Sequence, residues 1–187
     1  MYVAKSGFTP VYLELLHGAI RVTRPEFIES NIFGYLLTQY EITIINQIAG
    51  YYTETGNPEQ AKHIYSQLLA QITEQFVDET EKAKAYSTII YNYSRCLGRM
   101  GMRYEAIEII NDGIKFDRER DRMTMLPNLM FNYAFNLLSL GHKKESLAYF
   151  ALAYYGCLIF AEYGKAGFLS VINNVTQENF NFTFPSK

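Results

Sequence analysis

The side chains best suited to recognition chemistry are three carboxamides, Gln47, Asn92 and Asn132, set 45 and 40 residues apart. A carboxamide offers a donor and an acceptor together, which is what is needed to grip a peptide backbone without reading its side chains. Thr88 lies one helical turn before Asn92, and Arg95 and Arg99 lie one and two turns after it, so two guanidinium groups could hold a carboxylate beside the amides. Asn128 and Phe135 flank Asn132 in the same way, and an aromatic ring there could receive an apolar ligand group. The same strip read without a ligand is the wetted side of amphipathic helices.

Catalytic chemistry finds no comparable support. His17, His63 and His142 stand alone, without an HExxH spacing or an acidic partner, and no Walker loop, GxSxG or GxGxxG occurs. Cys96 and Cys157 lack metal-ligand or CxxC spacing and read as buried thiols of a reducing compartment. We therefore expect no enzyme activity, no metal and no cofactor, and a cytoplasmic location. The amino terminus has no apolar signal region, and the stretch Leu147 to Ala161 is too short to span a bilayer, so no membrane partner is expected.

Positioning such side chains requires helices. The chain has 187 residues, of which 49% are hydrophobic and 19% charged, with 16 Tyr, 13 Phe and five Pro, a composition that excludes global disorder. Its net charge of −2 gives too little positive field to hold DNA by counterion release, so direct nucleic-acid binding should be weak. Tyr86, Ile90, Tyr93, Leu97 and Met100 form an apolar stripe at helical spacing, and adding 40 gives Leu126, Met130, Tyr133, Leu137 and Leu140. Subtracting 45 preserves the centre of the stripe at Ile45, Ile48 and Tyr52.

A glycine follows each stripe, at Gly56, Gly101 and Gly141, and small residues precede it (Ala49, Ser94, Ala134) and follow it (Ala61, Ala106, Ser146). Small residues facing each other allow two antiparallel helices to cross closely, and glycine can end the first of them in the left-handed conformation. The expected fold is all-α: tetratricopeptide-like antiparallel helical hairpins stacked as a right-handed superhelical solenoid in one domain over 1–187. Residues 11–37 read as a degenerate helical pair, split at Arg24-Pro25, with Val11, Leu15, Gly18-Ala19 and Val22 along one side of its first helix and Glu26 to Leu37 as its second. Repeats follow at 38–72, 81–118 and 124–161, then a capping helix and tail at 165–187, with the helix at Phe168 to Val175. The apolar helix over Leu147 to Ala161 has little polar face, as expected of a helix buried on several sides, within the fold or at a dimer interface; we expect homodimerisation through the carboxy-terminal helices.

The wording of the second repeat, Tyr91-Asn-Tyr-Ser-Arg-Cys-Leu-Gly-Arg-Met-Gly with Tyr104-Glu-Ala-Ile-Glu-Ile, and that of the third, Leu126-Pro-Asn-Leu-Met-Phe-Asn with Leu140-Gly-His-Lys-Lys-Glu-Ser-Leu, resembles the carboxy-terminal regulatory domain of Rgg/MutR and PlcR-type transcription regulators of Gram-positive bacteria. The resemblance covers about Thr38 to Gly164. It implies a quorum-sensing role, in which a short secreted peptide binds the concave groove of a homodimer and DNA is read by a separate amino-terminal helix-turn-helix. The sequence at hand contains no such helix-turn-helix, so DNA is expected as a partner only through that missing part, whether the chain is a sensor fragment or a free-standing paralogue. The peptide-binding residues expected are Gln47, Thr88, Asn92, Arg95, Arg99, Asn128, Asn132 and Phe135. A constitutive tetratricopeptide scaffold that transmits no switch is the alternative.

Overall fold

In the computed structural model the described residues are 8–75, 79–160, 170, 172–174 and 176, and among them every regular element is helical. The helices are α1 (Pro10–Thr23), α2 (Gln39–Thr55), α3 (Pro58–Gln75), α4 (Glu79–Arg99), α5 (Arg103–Arg118), α6 (Leu126–Ser139) and α7 (Lys143–Phe160). The chain groups into two compact units, Met1–Glu105 and Ala106–Lys187.

The repeat signals do the structural work their spacing implies. Gly56, Gly101 and Gly141 have φ of +91°, +79° and +88°, the left-handed conformation that only glycine adopts without strain. Each turn carries the same backbone bond reaching back five residues: Asn57 N to Tyr52 O, Met102 N to Leu97 O and His142 N to Leu137 O, at 2.9, 3.0 and 3.0 Å. That bond satisfies a carbonyl which the end of a helix would otherwise leave unpaired. All six small residues, Ala49, Ser94, Ala134, Ala61, Ala106 and Ser146, are fully buried, as are Ile110 and Phe150.

In the first unit α2 packs on α3, α3 on α4, α2 on α4 and α1 on α2. The amino end of α2 is fixed by a capping box, with Thr38 Oγ1 accepting from Glu41 N (3.3 Å) and Glu41 Oε2 accepting from Thr38 N (2.7 Å). Glu41 is buried, and burial alone would raise its pKa. The bonds from Thr38 N, the Arg24 guanidinium and the hydroxyls of Thr23 and Thr38 outweigh it and hold the carboxyl down at about 2.

The segment Glu26 to Leu37 differs from the expected helix. Only Glu29–Gly34 is helical, as a 3-10 turn kinked at Asn31 (φ −137°, ψ 48°). Its own Tyr35 and side chains from outside the segment satisfy its backbone in place of a helical ladder: Tyr35 Oη accepts from Ile28 N and donates to Glu26 O, Gln67 Oε1 accepts from Ile32 N, Gln71 donates to Tyr35 O and Arg24 to Leu36 O.

The side of α1 carrying Val11, Leu15, Gly18, Ala19 and Val22 also faces away from the unit. The opposite side, with Ile20 fully buried, meets α2.

In the second unit α6 and α7 pack around Ala134, Phe150 and Ile172, with Phe131, Leu138, Tyr149 and Tyr154 against them. Ile172 belongs to the expected capping helix, of which residues 170, 172–174 and 176 are helical; the other residues of 165–187 lie outside the described residues. The helices approach closely at Gly156, where a Cβ would come within 2.9 Å of Pro127 Cγ. Among the described residues no helix is long and apolar enough to cross a membrane.

Candidate functional site

Helix periodicity places Asn46, Gln47, Gly50, Thr53 and Glu54 on neighbouring turns of α2. With Tyr65 of α3, Asn92 and Arg95 of α4, and Phe8 before α1, they line a cavity of about 350 Å³ within the first unit. Of the expected peptide-binding residues, Gln47, Asn92 and Arg95 thus share one cavity lining. Gly50 leaves the floor open, and beneath it Tyr65 is held by stacking on Tyr93, with ring centroids 5.6 Å apart. Burial pushes the Tyr65 hydroxyl well above its ordinary pKa, so it stays protonated, hydrogen-bonded to Thr53.

The amides are anchored on one side and open on the other. Asn92 Nδ2 donates to Asn46 Oδ1 at 3.2 Å, tying α4 to α2, and Tyr12 Oη donates to Gln47 Oε1 at 3.3 Å, tying α1 to α2. Among the described residues Gln47 Nε2, Asn46 Nδ2 and Asn92 Oδ1 make no further hydrogen bond. Two donors and one acceptor are therefore available at the cavity, a set that matches the alternating C=O and N–H groups of an extended peptide. Phe8 adds an aromatic lip, edge-on to Tyr12 and Tyr51 at 5.7 and 6.4 Å.

The two arginines already hold a carboxylate, that of Glu54. Arg95 Nη2 donates to Glu54 Oε1 and Arg99 Nη2 to Glu54 Oε2, both at 2.7 Å, while Arg99 Nη1 donates to Thr53 O at 3.2 Å. Arg95 also lies 5.8 Å from the Tyr91 ring centroid. Of these charged groups Arg95 and Glu54 line the cavity, one cation against one anion, and Arg99 lies outside its lining. Nε and Nη1 of Arg95 have no partner among the described residues.

The remaining expected residues sit elsewhere. Thr88 lies on α4 outside the cavity lining, its hydroxyl bonded back to Lys84 O. Asn128, Asn132 and Phe135 belong to α6 of the second unit. Asn132 is buried there and accepts from Asn136 Nδ2 through its backbone carbonyl, Asn128 Nδ2 faces Met125 Sδ at 3.8 Å, and Phe135 is 37% exposed. Sequence reasoning missed Phe8, Asn46, Thr53 and Tyr65 as cavity residues. Asn46 carried a usable signal, since it stands between Ile45 and Ile48 as a polar residue among core positions.

The helical hairpins that carry this cavity lie within residues 26–163, which match the RNPP family C-terminal domain. The chain belongs to that family. Among solved structures it is similar to Bacillus thuringiensis PlcR in complex with the peptide PapR7 and DNA, with a TM-score of 0.67 and 15% identity, over 89% of this chain and 54% of that one. The likeness establishes a tetratricopeptide-like helical-repeat fold, and the chain spans about half the length of PlcR. No curated protein sequence matches the chain at a significant level.

Proposed function

We propose that this chain is the ligand-sensing and dimerisation domain of a transcription regulator, binding a short signalling peptide and coupling it to DNA binding by a separate helix-turn-helix domain. The observation that carries the reading is the set of open hydrogen-bonding groups of Asn46, Gln47 and Asn92 beside the Arg95–Glu54 ion pair. Membership of the RNPP family and the likeness to a regulator solved with a peptide and DNA support it. A cavity of about 350 Å³ takes two or three residues of a peptide, so it serves as one subsite of a longer ligand.

The switch follows from connectivity. Asn92 to Asn46 and Arg95 to Glu54 both bridge α4 and α2, so a ligand that bonds these groups has different affinities for different α2–α4 arrangements and shifts their populations. Exposed Leu152 and Ile159 on α7, 51% and 68% accessible, support homodimerisation through the carboxy-terminal helices.

Affinity selection from a synthetic hexapeptide library, followed by titration of the enriched sequences, tests the proposal. Binding in the micromolar range or tighter is expected, weakened about tenfold by Asn92→Ala or Gln47→Ala. Enrichment no greater than on the Asn92→Ala/Gln47→Ala double variant would reject it.

A further inference from the structure

Among the described residues the outward side of α1 has no partner in this unit, and it carries a pattern of its own. Val11, Leu15 and Val22 are 61%, 67% and 82% exposed, and with Gly18 they are spaced 4, 3 and 4, the seam of a two-helix coiled coil. At Gly18 an added Cβ would meet nothing within 4 Å, so the middle of the seam is open to a closely approaching backbone. Glu14 and Arg21, one heptad apart, flank the seam on the same side; both are exposed, and neither has a partner among the described residues. The other flank carries Tyr12, bonded to Gln47, and Ala19.

We propose that this face docks the same face of a second copy of the chain, antiparallel about a two-fold axis near Gly18. The charge pattern selects both the partner and the direction. In an antiparallel pair the same flank of each helix meets, so Glu14 of each copy reaches Arg21 of the other and two equivalent ion pairs form. Leu15 packs beside Val22 of the other copy, and the two glycines meet at the crossing. In a parallel pair the charged flank would meet Tyr12 and Ala19 and no ion pair would form. A pair of helices of 14 residues each buries less than a tight dimer requires, so the association is weak, with a Kd of roughly 10–100 µM. This interface stands independently of the peptide reading and of association through α7.

Sedimentation equilibrium of the full chain carrying Leu152→Arg, which removes any contribution of α7, reads the interface directly. Glu14→Arg or Arg21→Glu alone places like charges opposite each other and should weaken self-association about tenfold, whereas the double swap E14R/R21E should restore it to within about threefold. Gly18→Cys supplies a second readout. Mild oxidation should give a disulfide-linked dimer, and Ser139→Cys on exposed α6 should not. A chain that is monomeric at 300 µM, charge variants that do not differ, or a double swap as weak as the single ones would overturn the proposal, and so would equal cross-linking at positions 18 and 139.

Discussion

Replacing Glu54 with Gln tests the charge arrangement of the cavity. The carboxylate accepts one 2.7 Å bond from each of two arginines, and its side chain is 19% accessible against 39% and 48% for Arg95 and Arg99. Cations this exposed are well solvated, so each pair contributes about 0.5–1 kcal/mol rather than the several that a buried pair would. Glu54→Gln keeps the shape and one acceptor, and the predicted loss is about 1–2 kcal/mol, or roughly 2–8 °C in Tm for a chain of this size. Because these pairs are screened, the difference should fall by at least half between 50 mM and 1 M NaCl. The variant also frees Arg95, so hexapeptides with an acidic group should bind about three- to tenfold more tightly while uncharged ones are unaffected. Urea denaturation at both salt concentrations, with calorimetric titration of the two peptide classes, measures each effect. A loss above about 4 kcal/mol, or a loss indifferent to salt, would show that Glu54 acts as a buried structural ion and would refute this reasoning.

Gly101→Ala should cost about 1 kcal/mol in urea denaturation, wholly from forcing φ of +79° on a side-chain-bearing residue, because its Cβ would meet nothing within 4 Å. Ala61→Leu inserts three carbons at a fully buried helix crossing and should cost about 1–3 kcal/mol or more by the same measurement. Glu41 is held at about 2 in the folded chain against an ordinary 4.5, so its bonds stabilise the fold above pH 4.5 and are lost as the pH falls toward 2. Stability should drop by roughly 3 kcal/mol across that window on account of this group, and Glu41→Gln should remove that part of the acid dependence while lowering stability at neutral pH.

The hairpins were legible because three signals recur together: a stripe at helical spacing, a glycine after it and small residues on both sides. Each is enforced locally or at a close crossing, and each recurs at the same offset in every copy. Residues Glu26 to Leu37 were not legible as a 3-10 turn, because what holds them there includes Gln67 and Gln71, side chains distant in sequence. Helix α1 shows the limit of periodicity. It has apolar residues on two faces, and spacing cannot decide that Ile20 is buried while Val22 is 82% exposed. Within the site, Gln47, Asn92 and Arg95 could be found because repeat register puts them on one strip. Glu54 falls on the same strip, but its pairing with the two arginines could not be read, since it depends on how α2 meets α4 in space.

The most direct test of the peptide-binding claim is side-chain amide NMR of Asn46, Gln47 and Asn92 during titration of the full chain with an enriched hexapeptide. All three NH2 pairs should shift along one saturable curve whose midpoint equals the calorimetric Kd. Binding by calorimetry with these resonances unmoved would place the ligand elsewhere and contradict the account.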